Sequence, residues 1–450
     1  MKGRWQWFVD GYRRLFSIRE IETEPILQWA FGALLFYFFV TFNTWINKPY
    51  ITVEAARAGP TCWPFFKNCG DFYFLHALPY GYTQTEFYMM LYGVMMLIVY
   101  LMWRKRWAYA HMLMTLLLFW KLFAISLNYI SEGPYDYYHI FLLAALLFIP
   151  HKEYFLKLLF VLFYFMSVTI KFAPAWIDGT YFSSMIGGIP FFPRWFIVIA
   201  TNIVIFEQVI GAWYLLSRYW LLQRFSLAFA LFFHFYSGIL VGYDYPSITL
   251  PVIAVLFGPM YRHSPTPFTR KAIAGWCIVA LVVLFQGLGY VIPTDRFLTL
   301  EGNRFGMFMF ESNHQCVATV KTYRYTKQSA ADDFENTPGT QCGQFYCLVK
   351  RSTTLTATGS VQELRYESGD AWNRCDPYEW WSKLQALCGN PTISHIALRF
   401  DHSINGGPFY RIVDEQDICG VDYRFFAHNP WIKLPGEAQI VGYPVQNWYY

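Results

Sequence analysis

Charge is what this sequence has least of. Only 14% of its 450 residues are Asp, Glu, Lys or Arg, while 55% are hydrophobic and 21% aromatic, and the mean hydropathy is +0.25. Soluble chains carry about a quarter charged residues, so the composition indicates a polytopic membrane protein, in contact with a lipid bilayer. The formal net charge is only +5, with no basic stripe long enough to track phosphates, which argues against a nucleic-acid partner. No P-loop, nucleotide fingerprint, haem site, pair of broken transporter helices, internal repeat or low-complexity tail is present. The first 25 residues lack the charged, apolar and small-residue layout of a cleaved secretory signal, so the first apolar run is expected to stay as an anchor.

What charge there is falls in short loops. Apolar runs long enough to suit a membrane, some of them short or interrupted, occur at 26–45, 86–103, 107–128, 137–150, 154–172, 195–216, 225–243, 246–260 and 272–292. If all nine cross, then Arg104 to Arg106, His151 with Lys152, Arg218 with Arg224, and Arg262 through Lys271 share one side with the N-terminal arginines. The positive-inside rule makes that side cytoplasmic and the C-terminus extracytoplasmic. The expected organisation is a cytoplasmic segment 1–25, a membrane helical bundle 26–292, and an extracytoplasmic β-rich domain 293–450 in an inner or plasma membrane protein.

Cysteine usage agrees with an oxidising outer side. Cys62 and Cys69 sit among Pro and Gly in a short loop and read as a disulfide, with two free thiols as the rival. Beyond residue 293, Cys316, Cys342, Cys347, Cys375, Cys388 and Cys419 make an even set whose pairing is open among fifteen possibilities. Zinc is the rival there, but Cys342 and Cys347 lack a second close pair, and no metal is expected. In this region CVATVKTYRY, YCLVKRSTTLTATG and HIALRFDHSI alternate as half-buried strands do. DPYEWWSKLQALCG reads as a helix capped by Asp376 and ended at Gly389.

The candidate functional residues gather around an apolar run that ends in a lysine. Lys171 closes the stretch from Phe155, just before Pro174. An ionisable group so placed faces a cavity or a polar partner, or else snorkels to the headgroups. His234 lies between aromatics on a later apolar run, either as a working group or as a core histidine bonded to a carbonyl. Glu207 in FEQVIGAWYLL is equally readable as a packing contact.

KFAPAWIDG, at 171–179, resembles a motif of the vitamin K-dependent gamma-glutamyl carboxylase family and its bacterial kin, the HTTM membrane domain. Lys171, Trp176, Asp178 and Gly179 match at the same spacing, and Lys171 falls on the family's catalytic lysine. FFHFYSGILVGYDYPSITLPVIAVLF resembles a later membrane helix opened by a histidine, here His234, and Glu207 stands where the family often has an acidic residue. RFGMFMFESNHQCVATV and HIALRFDHSINGGPFYRIVDEQDIC resemble strands of the lumenal β-domain, so the likeness covers most of the chain. Where the family presents an Asn-His pair, this chain reads EGPYDYYHIF, with Asp136 for Asn and His139 about one turn later.

The resemblance implies an enzyme using reduced vitamin K or a related quinone to carboxylate glutamates of exported proteins. The γ-proton of glutamate is too weakly acidic for an ordinary side chain. In the family's chemistry the deprotonated hydroquinone reacts with oxygen, becomes a far stronger base and ends as the epoxide, and the glutamyl carbanion attacks carbon dioxide. Lys171, His234 and His139 are then the catalytic candidates, with Trp176, Asp178, Gly179 and Glu207 as candidates for binding substrate or cofactor. A lysine can give up its proton where arginine stays charged, and Asp178 would oppose this if it paired with the amine. The altered Asn-His position leaves a second expectation open: a non-catalytic scaffold or accessory subunit of a membrane complex.

Overall fold

The computed structural model describes residues 2–41, 62–66, 69, 82–127, 129, 134–183, 189–303, 306–308, 312–325, 341–342, 346–356, 359–368 and 375–443. The chain separates into two compact units, a helical one (1–169, 203–286 and 307–309) and one built on a sheet (170–202, 287–306 and 310–450).

In the helical unit, long apolar runs bounded by Pro, Gly and basic residues become helices because lipid-compatible side chains leave the backbone no partner but itself. The nine apolar runs coincide with the helices Pro25–Val40, Tyr82–Trp103, Trp107–Leu127, Pro134–Phe148, Lys152–Ser167, Ile197–Phe206, Trp220–Val241, Asp244–Phe257 and Ile273–Val291. They do not all qualify as spans. Among the described residues three helical stretches are long and apolar enough to cross a membrane: Lys152–Phe172, Arg194–Tyr214 and Arg270–Val291. Pro25–Val40, Met89–Trp103, Trp107–Phe123, Tyr135–Phe148 and Asp244–Phe257 are apolar but shorter. The nine crossings expected from hydropathy are therefore not what the helix lengths support.

Pro25 and Pro134 open their helices, where a missing amide costs no hydrogen bond, and the stretch ending in Lys171 leaves α geometry at Ser167 for a tighter 3₁₀ turn, Val168–Phe172. The stretch Lys152–Phe172 forms the core, with 78% of its most apolar window buried, against 28% for each of the other two. Those two turn Val198, Ile199, Leu281, Leu284 and Val291 outward, as lipid-facing helices do. The Glu20 carboxylate accepts from the backbone amides of His151 and Lys152, capping the core helix's N-terminus.

The sheet unit has seven antiparallel strands in the order β2-β3-β4-β1-β5-β6-β7. They are β1 His314–Arg324, β2 Gln341–Cys342, β3 Tyr346–Leu355, β4 Ser360–Ser368, β5 Ile393–Ile404, β6 Phe409–Glu415 and β7 Gln439–Gly442. Period-2 alternation puts Cys316, Ala318 and Val320 on the buried face with Leu398 and Phe400, and Val317, Thr319 and Lys321 on the open one. The helix Pro377–Cys388 covers the buried face, with the Trp380 ring 6.4 Å from that of Phe400. Asp376 caps it by accepting from the Tyr378 amide at 2.9 Å.

Three disulfides are formed: Cys62–Cys69, Cys316–Cys375 and Cys388–Cys419. The first settles the short loop as a bridge. The second closes a 59-residue separation, worth about 4 kcal/mol in the chain-entropy account. The register sets Cys342 opposite Cys347 across β2 and β3, and their side chains lie outside the described residues. Cys277, the ninth cysteine, is an exposed thiol. Residues 170–202, which follow the core helix in the chain, group with 287–306 and 310–450 in the sheet unit.

Candidate functional site

In the sheet unit, Lys171 lies in the last part of its 3₁₀ turn with its side chain completely buried. It does not snorkel. Its Nζ lies 5.2 Å from the ring centroid of Trp176, a cation–π distance, and Trp176 in turn stacks on Tyr181 at 5.3 Å. The chain reaches this arrangement through Ala173, extended ahead of Pro174, and the single turn Pro174–Ile177. Gly179 then takes a positive φ of 78°, and an added Cβ would sit 2.9 Å from Ile197 Cγ2, so this position suits glycine alone. Asp178 is exposed and caps the next turn: its Oδ1 accepts from the Thr180 amide at 2.9 Å and from the Thr180 hydroxyl at 2.5 Å. The feared pairing of Asp178 with the amine is thereby replaced by a local turn. The Asn313 side-chain amide donates to the Tyr181 carbonyl at 2.7 Å, fixing the segment against the strand that follows.

In the helical unit, His234 is completely buried and its Nε2 bonds the Tyr164 hydroxyl. Beside this pair is a cavity of about 10 Å³ lined by Tyr138, Phe163, Ser167, Ile248 and Thr249, the least that admits one water. A quinone ring does not fit there. Glu207 opens a π-helical turn, Glu207–Gly211, and its carboxylate folds back where a Cβ on Gly211 would collide at 2.0 Å. Gln208, 1% exposed, has both polar side-chain atoms without a hydrogen-bond partner among the described residues.

His139 does not join His234 in the contacts described. It belongs to a buried network of Tyr37, Lys121 and Asp136, in which Lys121 Nζ donates to Asp136 Oδ1 at 2.8 Å and to His139 Nδ1 at 3.0 Å. The Tyr37 hydroxyl donates to the same Asp136 oxygen at 2.9 Å. An ammonium has no lone pair, so His139 Nδ1 must accept, and its Nε2–H donates to the Leu34 carbonyl at 3.0 Å. His139 is thus the neutral Nε2–H tautomer with both nitrogens engaged. Lys121 is the residue that sequence reasoning missed, though its signal, a lysine inside the run MTLLLFWKLFAISL, is the one that singled out Lys171.

A histidine pair occupies the sheet unit. His402 Nδ1–H donates to the Leu298 carbonyl at 2.5 Å, which makes Nε2 the acceptor of His314 Nδ1–H at 3.0 Å. Burial holds His402 down from 6.5 to about 4, and burial, then the neighbouring His402, holds His314 well below its ordinary value. The unfolded chain binds these protons near pH 6.5 and the folded unit resists them, so the unit loses stability as pH falls. The loss begins near 6.5 and for His402 is complete below about 4, amounting to about 3 kcal/mol. Replacing His402 by Asn is expected to flatten thermal unfolding against pH between those values, and an unchanged slope would assign the acid sensitivity elsewhere.

No protein-family model, curated protein or solved structure matches this chain.

Proposed function

We propose that this chain is an integral membrane, carboxylase-like enzyme in which Lys171 accepts a proton, coupling oxidation of a reduced quinone to carboxylation of glutamate in exported proteins. The three stretches long and apolar enough would cross the bilayer, with the N-terminus cytoplasmic and residues 293–450 extracytoplasmic, where the disulfides of the sheet unit form. One observation carries the reading: Lys171 is buried beside the ring of Trp176, which stacks on Tyr181, while the motif carboxylate, Asp178, is committed to Thr180. Such an amine is a proton acceptor shielded from bulk water. The cavity beside His234 is too small for a quinone ring, so the reading rests on Lys171 and not on His234.

A second reading, a non-catalytic scaffold or accessory subunit, is favoured by His139, whose two nitrogens are both engaged, and by the closed cavity at His234. The two part on one assay. Purified protein in nanodiscs, supplied with reduced vitamin K or related quinones, oxygen, carbon dioxide and a glutamyl peptide, is expected to form epoxide and carboxyglutamate together. A folded protein that forms neither with any quinone is the scaffold.

A further inference from the structure

The open face of the sheet carries a pattern that the proton chemistry does not use. Lys350, Arg365, Thr319 and Arg399 lie in direct register on β3, β4, β1 and β5, so three cations form one row across the strands with a gap at the small Thr319. With strands about 4.8 Å apart, the two arginines straddle that gap at roughly 10 Å. The flanking rows hold carboxylates: Glu367 and Asp401 both oppose Val317, and Glu363 opposes Lys321. Together these residues line a cavity of about 500 Å³, with Phe409 and Tyr443 among its walls. At one end Gln315, 5% exposed, has an Oε1 that accepts no hydrogen bond from any described residue.

Each feature narrows the ligand. A bare anion would meet three carboxylates as well as the cations. An extended peptide docks on the free backbone groups of a sheet edge, whereas on this face the backbone is already paired within the sheet. A ligand read by side chains alone satisfies both signs: anionic groups for the cations, and hydroxyl donors for Gln315 Oε1 and for the lone pairs that Glu363, Glu367 and Asp401 keep beyond their pairs with Lys321, Arg365 and Arg411. Aromatic rings at the wall suit the C–H face of a sugar, and the volume suits two or three rings. The arginines are available at little cost, since their pairs with Glu367 at 3.0 Å and Asp414 at 3.2 Å are solvent-exposed. We propose that this face binds an acidic oligosaccharide, one carrying carboxylate or sulfate groups, seated over Thr319 between Arg365 and Arg399.

The full-length protein in phosphatidylcholine nanodiscs, titrated calorimetrically at low salt, tests this with trigalacturonate and a heparin tetrasaccharide against neutral maltotriose and tetraglutamate. At least one acidic sugar is expected to bind at least tenfold more tightly than either control. Arg365→Gln with Arg399→Gln is expected to weaken it at least tenfold, and Thr319→Trp to block it, each with unchanged thermal unfolding because the side chains face outward. Binding of neither acidic sugar, equal binding of tetraglutamate or maltotriose, or indifference to both variants overturns the proposal.

Discussion

Lys171→Met is expected to lower reduced-quinone turnover at least a hundredfold while leaving KM for the glutamyl peptide nearly unchanged. A positioned acid or base contributes about 10² to 10⁴ in rate, and methionine keeps the length of the side chain without a nitrogen. The variant keeps the bulk that packs by Trp176 and loses the contact of the ammonium with that ring, so thermal unfolding measured beside turnover separates lost chemistry from lost fold. Lys171→Arg is expected to be equally inactive, because a guanidinium keeps its proton. Epoxide formation with and without peptide is the readout. Turnover in Lys171→Met within a few-fold of the parent would move the acceptor away from this residue.

The largest effect on stability is expected at Lys121. Lys121→Met strands the Asp136 carboxylate in the helical unit, and breaking a buried ion pair from one side costs about 3 to 5 kcal/mol. In a unit of this size that lowers the unfolding temperature by roughly 10 °C. Asp136→Asn in the same background is expected to recover most of the loss, since the Tyr37 hydroxyl still finds an oxygen to donate to. Thermal unfolding of the four combinations measures the coupling. Additive losses would mean that the pair is not held as the 2.8 Å contact indicates.

The parts of the fold legible in the sequence were those that repeat locally. CVATVKTYRY and HIALRFDHSI alternate because one face of their sheet is covered and the other open, and they became β1 and β5. Asp376 announced its helix because a cap lies within three residues of what it caps. The pairing of Cys316 with Cys375 was not legible, because it depends on which strands lie side by side. The Lys121 network joins three helices, with Lys121 on one, Asp136 and His139 on a second and Tyr37 on a third, so resemblance alone could not show that His139 is tied to a lysine. Hydropathy runs unbroken through Thr169, so it gave no sign that the next residues join the other unit. The π turn at Glu207 rests on one glycine, Gly211, within a helix-compatible run.

The hydrogen bond from Asn313 to the Tyr181 carbonyl spans 132 positions along the chain. A ribosome releases Lys171, Trp176 and Tyr181 long before it releases the residue that fastens them, and longer still before Cys375 arrives to bridge Cys316 in the strand next to it. The lysine's seat is therefore among the last features of the molecule to set during synthesis, and a nascent or truncated chain carries the motif without the finished geometry.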